Sequence, residues 1–451
     1  MANPTSRRFF LGAASALAAS RVWGANDQIN MVIVGLGGRG TNHLNIYPKI
    51  ASARVAGLCD VNQAAREVAN ATLLKSTGEK AKEFEDMREA FADKNIDAVS
   101  IATPNHWHAL ATIWACEAGK DVYCEKPACY NIHEGQRMIE VARKHNRMVQ
   151  IGSQHRSNPM KIRAMEKLHE GLIGNIYLAK GLCFKRRVSI GHKEDSPTPA
   201  GVNWDLFLGP APMRPFNELR FKYNWHWFWD TGNGDIGNQG VHEMGVARWA
   251  MKDPEWPKTA VAVGGKYAYN DDQETPNTLY ASFDFGGREL QFEVRGILTG
   301  GEGYPAPRRA GGAATAPAAN TPASAPPVNV MVGDLFYGTE GWMSMADQGV
   351  QAYKGESSEL IYQERPERGQ GGGDPTQAHM TNFLDACKSR NYKDLHDELG
   401  NAFLSASLCH LANISYRTGR KLTLESGPKF AGDAEATKML TRPAYRKGYV
   451  V

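Results

Sequence analysis

The chain has 451 residues, of which 42% are hydrophobic and 22% charged, and these values are typical of a globular protein with two or three domains. The formal net charge of +4 is too small to indicate a nucleic-acid-binding protein, and no basic run accompanies it. The seven cysteines have neither the even number of a disulfide framework nor the spacing of zinc ligands, so we predict no disulfide scaffold and no metal site.

Residues 1–28 have the pattern of an export signal. Arg7-Arg8 is a twin-arginine pair, and residues 11–20 form an uncharged, alanine-rich run that is too short for a permanent membrane anchor. Small residues near Gly24 offer a cleavage site. We therefore expect a periplasmic or secreted protein without a membrane anchor. A disordered N-terminal tail with a chance arginine pair is the alternative.

Residues 30–60 have the pattern of a dinucleotide-binding unit. A β-branched run precedes a G-x-G-x-x-G turn, and a second strand pattern ends at Asp60, about 20 residues further on. Such a turn lets the backbone and a helix N-terminus approach a pyrophosphate. We predict that Asp60 binds the adenosine ribose of NAD; NADP is less favoured, because the carboxylate would repel a 2′-phosphate. The predicted phosphate-binding residues are Gly35, Leu36, Gly37, Gly38, Arg39 and Gly40.

Two later strand patterns end in polar residues that we expect in the same crevice. Thr103 lies at the end of the strand pattern at residues 97–104, and Asn105 follows it. Glu125 and Lys126 follow the strand at residues 121–124. Residues after the carboxyl ends of parallel strands lie where ligands bind. A lysine held near a nicotinamide and other cations can have a lowered pKa and move protons. For His108, a cofactor contact and a merely packed ring both stay open.

These motifs, in this order, resemble the Gfo/Idh/MocA family over roughly residues 29–425. The most telling of them is Glu125-Lys126-Pro127. The resemblance implies an α/β protein with a Rossmann domain at residues 29–152. It also implies a substrate-binding α/β domain at residues 153–425, whose open, mainly antiparallel sheet often mediates oligomer contacts, so we expect a homo-oligomer. Residues 426–451 are expected to form a C-terminal tail. The family's lysine, carried onto Lys126, contacts the nicotinamide ribose and assists catalysis.

One position departs from the family pattern. The family places an aspartate four residues before a histidine as an acid/base pair, and here these positions hold Asn238 and His242. Asparagine can position a substrate but cannot take a proton. Either His242 or Lys126 must therefore act alone, or Asp235 must substitute for the missing acid. For His242, a helix-terminal histidine without a chemical role is the alternative.

The remaining candidate residues would contact cofactor or substrate. Gln154 and Arg156 follow the last strand of the first domain, and we expect them to face cofactor and substrate respectively. The aromatic stretch that contains Tyr223 and Trp229 could hold a sugar ring or fill a core. His379 follows a glycine-rich link at residues 369–373, which could hold its side chain over the crevice. We interpret residues 304–327, which are almost entirely small residues and proline, as a mobile, disordered-type loop.

Three functions compete. The leading hypothesis is an NAD-dependent oxidoreductase that moves a hydride between a carbinol carbon of a sugar, sugar derivative or cyclitol and the nicotinamide. Because no useful pool of free NAD is expected outside the cytoplasm, its cofactor would stay bound and be recycled. The second is an NAD-dependent glycoside hydrolase that oxidises, eliminates and re-reduces its substrate. The third is a non-enzymatic nucleotide-binding protein.

Overall fold

The computed structural model describes residues 28–297, 299–302, 329–355, 359–366 and 375–451. Residues 1–27 of the expected export signal, the predicted loop at residues 304–327 and the glycine-rich link at residues 369–373 all lie outside the described residues. In the part of the chain that the structure does describe, no helix is long and apolar enough to cross a membrane.

The first domain is built on a six-stranded sheet in which every neighbouring pair is parallel. The strands run in the order β3-β2-β1-β4-β5-β6. This is the doubly wound order that binds dinucleotides at the carboxyl ends of its strands, so the predicted Rossmann domain is confirmed. The strands are β1 (Ile29–Val34), β2 (Ala53–Cys59), β3 (Lys82–Phe84), β4 (Ala98–Ile101), β5 (Asp121–Cys124) and β6 (Val149–Ile151).

Five helices connect these strands. They cover both faces of the sheet, which explains why β1 and β4 are uncharged and almost completely buried. The fourth begins at His108, after a short 3-10 turn at Asn105–Trp107. The helices are α1 (Gly38–Ile46), α2 (Gln63–Thr77), α3 (Met87–Ala92), α4 (His108–Glu117) and α5 (Ile132–Lys144).

The second domain is built on a nine-stranded sheet in the order β14-β13-β12-β11-β7-β10-β9-β8-β15. Its neighbours are antiparallel except for β7 and β10, so the predicted mainly antiparallel sheet is confirmed. The strands are β7 (Ile176–Cys183), β8 (Thr259–Gly265), β9 (Thr278–Asp284), β10 (Glu289–Arg295), β11 (Val332–Gly338), β12 (Gly341–Ala346), β13 (Gly349–Lys354), β14 (Leu360–Glu364) and β15 (Leu422–Thr423).

Six further helices complete the described chain. Two of them, α8 and α10, pack against one face of the second sheet and against each other. Between β7 and α8 the chain forms a long irregular segment that contains α7 and crosses to the first domain. The helices are α6 (Pro159–His169), α7 (Trp204–Leu208), α8 (Val241–Ala250), α9 (Thr376–Ser389), α10 (Leu399–Thr418) and α11 (Ala434–Lys438).

Helix α9 does not pack with the domain in which the sequence placed it. Its apolar residues Met380, Phe383 and Leu384 belong to the core that contains β1 and Tyr123 of the first sheet. The chain therefore returns to the Rossmann domain near its end, and residues 153–425 are not one contiguous packing unit. A boundary drawn from sequence follows the chain, whereas this helix follows the apolar face that it covers.

Candidate functional site

A cleft of about 840 Å³ lies between the two domains, at the carboxyl ends of β1, β2, β4 and β5. It is where a dinucleotide is expected in this topology. The first domain lines it with the glycine-rich turn, Asp60, Thr103, His108, Glu125 and Lys126, and the second domain with Phe207, Phe221, Tyr223, Trp225, His226 and Asn238.

The glycine-rich turn has the shape that phosphate binding needs. Gly35 has a φ of +85°, and a Cβ there would approach the Ala102 carbonyl oxygen to 2.7 Å. A Cβ at Gly40 would collide with the carbonyl oxygen of Gly35, so α1 can pack this closely only with glycine. At Gly37 and Gly38, by contrast, a Cβ would have no protein atom within 4 Å. The two positions therefore leave room for a ligand at the N-terminus of α1.

Asp60 links the second strand to this turn. Its carboxylate accepts hydrogen bonds from the backbone N–H of Leu36, at 2.7 Å, and of Asn62, at 2.8 Å. Burial raises the pKa of Asp60. Each carboxylate oxygen can still accept a second hydrogen bond, and the residue lines the cleft. This position fits the predicted contact with a ribose diol.

Glu125 is the centre of a cluster of polar contacts in the middle of the cleft. One of its oxygens accepts from Arg39 at 2.8 Å and from Gln154 at 3.1 Å, and it lies 2.9 Å from Nε2 of His43. Burial acts to raise the pKa of Glu125, but the Arg39 guanidinium and His43 outweigh it and hold the pKa well below its usual range. Glu125 is therefore a carboxylate that fixes α1 to the end of β5. Gln154 lies beneath it and supports the cleft from behind.

Lys126 stands at the inner end of the cleft. Its Nζ donates to the backbone carbonyl of Asn238 at 2.5 Å and lies 3.4 Å from the Asn238 side-chain oxygen. The bond between Lys126 and Pro127 is cis. Burial lowers the pKa of Lys126, and the Arg39 guanidinium acts in the same direction. Lys126 of the first domain is thus hydrogen-bonded to Asn238 of the second domain.

A network behind Asn238 fixes the orientation of its amide. The Asn238 nitrogen donates to the Asp235 carboxylate at 3.1 Å and to the Tyr223 hydroxyl at 3.2 Å. Arg187 in turn donates to both Asp235 oxygens, at 2.6 and 2.9 Å, and to the Tyr223 hydroxyl at 3.2 Å. Because the nitrogen is occupied there, the Asn238 oxygen faces Lys126. Since the Tyr223 oxygen accepts two hydrogen bonds, its own proton can be donated into the cleft.

Asp235 is engaged by this network and buried, with 3% of its surface exposed. It touches Arg187 and Asn238 rather than lining the cleft. The structure therefore brings Asp235 next to the family's acid position without placing it where a substrate would lie.

His242 is the second residue of α8, one helical turn beyond Asn238. Burial, and after it the positive charge of Lys126, lowers the pKa of His242 well below its usual range, so the ring is neutral at neutral pH. Its ring packs edge-on against His155, with ring centroids 5.2 Å apart. Within the described chain its Nδ1 is buried without a hydrogen-bond partner. The structure thus places a neutral imidazole, with an unpartnered Nδ1, near Lys126.

The residues after β4 divide into two kinds. The two ring nitrogens of His108 lie 2.7 Å from the Pro127 carbonyl and 2.9 Å from the Thr103 carbonyl, so this ring braces two turns of the cleft wall. Burial lowers the pKa of His108. Thr103 Oγ1 and Asn105 Oδ1 are buried polar atoms that have no partner in the described chain. Thr103 lines the cleft, whereas Asn105 donates to Asn233 behind it.

Four predicted substrate contacts are not among the residues that line the cleft: Arg156, Trp229, His242 and His379. Arg156 is occupied by ion pairs with Asp253 and Asp397. His379 is completely buried, with its ring nitrogens 2.6 Å from the Ser157 hydroxyl and 2.8 Å from the Ile151 carbonyl, because α9 packs on the first sheet. Trp229 lies outside the cleft lining, 5.0 Å below the Arg417 guanidinium.

Some functional residues were missed by the sequence analysis. Arg187 belongs to a basic cluster, Lys185-Arg186-Arg187, that gives no sign of its partner 48 residues later. Phe207 and Phe221 look like core residues in sequence, yet they line the cleft. Among the described residues, no group of three or more histidine, cysteine or acidic side chains could hold a metal ion.

Comparisons with known proteins agree with this architecture. Residues 29–153 match the Gfo/Idh/MocA model of an oxidoreductase family's NAD-binding Rossmann fold. Residues 172–286 match the model of the same family's C-terminal α/β domain. Together the two matches span just over half of the chain.

Individual relatives are more distant. An inositol 2-dehydrogenase/D-chiro-inositol 3-dehydrogenase of Shouchella clausii is 30% identical over 163 residues, which are 36% of this chain and 45% of that protein. A glycosyl hydrolase family 109 protein of Saccharopolyspora erythraea is 27% identical over 206 residues, 42% of this chain and 44% of that protein. The chain thus matches less than half the length of these curated relatives.

The whole fold also has solved counterparts. The structure of a levoglucosan dehydrogenase in complex with NADH and levoglucosan superposes with a TM-score of 0.63 at 17% identity. The match covers 89% of this chain and 100% of that one. At this identity the likeness shows a shared fold.

Proposed function

Because this chain belongs to the Gfo/Idh/MocA oxidoreductase family, we propose that it is an NAD-dependent oxidoreductase acting on a CH–OH group of a sugar, sugar derivative or cyclitol. The observation that carries the proposal is a hydrogen bond of 2.5 Å from Lys126 Nζ to the Asn238 backbone carbonyl. It lies in the cleft that contains the glycine-rich turn. The cyclitol dehydrogenase among the curated relatives supports this substrate class.

The cleft residues fit NAD. The open positions at Gly37 and Gly38 would take the pyrophosphate at the N-terminus of α1, and Asp60 would bind the adenosine ribose. Thr103 Oγ1, a buried polar atom without a partner in the described chain, offers the ligand a further hydrogen bond. When bound, NAD supplies the hydride acceptor, and the protein supplies binding, orientation and proton handling.

We assign the proton chemistry to Lys126 and His242. Lys126, whose pKa is lowered by burial, would in its neutral form accept the hydroxyl proton of a substrate. His242, whose pKa is held well below its usual range, would stay neutral beside Lys126 and accept a hydrogen bond. Asn238 and Tyr223 would orient the sugar hydroxyls. Asp235 would act as a positioning residue for Asn238 instead of replacing the family acid.

We further propose export by the twin-arginine route and retention of NAD through many turnovers. The twin-arginine pattern supports export by this route. Retention of NAD is proposed because no useful pool of free NAD is expected outside the cytoplasm. Retention predicts that protein purified without added nucleotide contains NAD or NADH. A homo-oligomer through the second sheet, which the family resemblance implies, is also proposed, and sedimentation analysis tests it.

The second candidate is a glycoside hydrolase that uses bound NAD transiently. The match to a glycosyl hydrolase family 109 protein favours it. The same Lys126 and His242 would serve, because oxidation at one carbon acidifies its neighbour and permits elimination of the leaving group. Reaction stoichiometry distinguishes the two: a hydrolase consumes aryl glycosides with no net change in NAD, whereas an oxidoreductase converts the free sugar.

The test of the site is a pair of substitutions. Lys126→Ala and His242→Ala should each reduce turnover by about 100-fold or more, the contribution of general acid–base groups. Lys447→Ala, at an exposed position of the C-terminal tail, is the control for charge loss. Near-normal turnover in His242→Ala would leave that residue as a helix-terminal histidine without a chemical role.

A further inference from the structure

A segment of the second domain crosses onto the first domain beside Asp60. We call residues 201–226 the cover segment. The backbone N–H of Gln63 donates to the Gly201 carbonyl at 2.8 Å, and that of Asn203 donates to the Val61 carbonyl at 2.9 Å. The Asn203 amide also donates to Glu85 at 2.6 Å. The cover segment is thus fixed to the loops that follow β2 and β3.

The cover segment presents an apolar wall to the outer half of the cleft. Leu206, Phe207, Phe221 and Trp225 line the cavity together with Val61 and Met87 of the first domain. Phe207 stacks on Trp204 with ring centroids 4.8 Å apart, so the wall is backed by a packed aromatic cluster. If Asp60 binds the ribose, the adjoining purine lies against this wall, where flat aromatic surfaces pack well.

The C-terminal tail then closes over the cover segment from outside. We call residues 440–449 the latch. Arg446 donates to the backbone carbonyls of Asp205 and Gly209, both at 3.1 Å, and forms an ion pair with the Asp205 carboxylate. The Tyr449 ring packs edge-on against Trp107 at the start of α4, with ring centroids 5.6 Å apart.

The latch is itself anchored in the first domain. Arg442 forms an ion pair of 3.0 Å with Glu134 of α5, and both side chains are almost completely buried. Arg442 also donates to the Asp230 carbonyl at 3.1 Å, just beyond the other end of the cover segment. Because the latch is bonded to α5, to Asp205 and Gly209 of the cover segment, and to Asp230 just beyond it, the cover segment cannot move away from the first domain without breaking these contacts.

We propose that the cover segment forms the adenosine side of the nucleotide site, and that the latch sets how slowly the dinucleotide leaves. The proposal rests on the proposed function, because it requires NAD in the cleft. It assigns retention of the nucleotide to the second domain and the tail, at residues outside the proton chemistry at Lys126.

Release kinetics test the latch. Full-length protein is loaded with NADH and mixed with excess NAD, and the loss of NADH fluorescence gives the dissociation rate. Arg446→Ala removes hydrogen bonds that a charged group makes, so release should become roughly 10- to 100-fold faster. Lys447→Ala removes the same charge from the next, exposed position and should release NADH at the wild-type rate.

Arg446→Lys keeps the charge and should show a smaller acceleration, and it carries the test if Arg446→Ala does not fold. Equal release rates in the wild type and both Arg446 variants would overturn the latch. A wild-type protein that binds neither NADH nor NAD would instead refute the proposed function, so the two failures are distinguishable.

Ligand dissection tests the adenosine wall. ADP-ribose lacks only the nicotinamide ring, so its affinity reports the contacts that NAD makes outside that ring. Phe221→Ala should weaken the binding of ADP-ribose and of NAD by the same factor, roughly 10-fold for the loss of one aromatic contact. Unchanged ADP-ribose affinity in Phe221→Ala would overturn the assignment of the cover segment to this half of the site.

Discussion

Glu243, the residue after His242, gives a sharp prediction about pH. Its side chain is buried, one oxygen accepts from Gln239 at 3.1 Å, and the other has no partner in the described chain. Burial raises the pKa of Glu243 to about 8, which the Gln239 hydrogen bond and Lys161 only partly offset. Asp334 on β11 faces the same space, and burial also raises its pKa well above the usual range. We therefore expect Glu243 to be neutral at neutral pH.

The consequence for stability has a definite sign. The unfolded chain releases this proton near the ordinary value of 4.5, whereas the folded protein keeps it until about pH 8. Between these values the folded state binds more protons, so its stability falls as the pH rises. This pKa difference lowers the free energy of unfolding by about 5 kcal/mol once the pH is above 8. Glu243→Gln removes the titration and keeps the shape of the side chain.

The assay is chemical denaturation of wild type and Glu243→Gln from about pH 5 to about pH 9, because the difference between the two cancels titrations that they share. The variant should gain stability relative to wild type as the pH rises, by up to about 5 kcal/mol. Glu117→Gln, at an exposed position of α4, should show no such trend. A constant difference between wild type and Glu243→Gln across this range would refute the reasoning.

Three further predictions concern the cleft and the residues behind it. Asp60→Ala should weaken the binding of NAD by roughly 10- to 100-fold, because charge-assisted hydrogen bonds are lost, and should weaken the binding of NADP by less. Tighter binding of NADP than of NAD by the wild type would contradict this prediction. Arg187→Met leaves the buried Asp235 carboxylate unpaired and should cost roughly 3–5 kcal/mol by denaturation, with stability recovered in the double variant with Asp235→Asn. Gly37→Ala should keep the wild-type melting temperature while NAD affinity falls in a titration, since a Cβ there meets only the ligand space; unchanged affinity would mean that the phosphates lie elsewhere.

The sequence predicted the parts of the site that local geometry determines. The turn at Gly35, the strand that ends at Asp60 and the placement of Lys126 after β5 all follow from patterns within a few residues. The Gly286-Gly287 pair between β9 and β10 is a local signal of the same kind, and both glycines have positive φ values. Strands β12 to β14 were not predicted individually, although glycine-containing turns at residues 347–349 and 355 separate them in sequence.

The remaining features depend on contacts between distant parts of the chain. Nothing local shows that Arg187 pairs with Asp235, or that Arg156 is neutralised by Asp397 instead of facing a substrate. His379 was expected over the cleft because of the glycine-rich link before it. Its actual position is set by the apolar face of α9, which covers the first sheet. The cover segment and its latch likewise join residues that are more than two hundred positions apart.

The central claim is that this cleft uses bound NAD to oxidise a polyol. Its most direct test is a single-turnover experiment, in which purified protein without added nucleotide is mixed with a panel of sugars and cyclitols that includes inositols and levoglucosan. The absorbance of reduced nicotinamide should appear with at least one substrate in the wild type and be lost in Lys126→Ala. A protein that carries no nucleotide after mild purification, binds no added NAD and reduces none with any member of the panel would contradict the account.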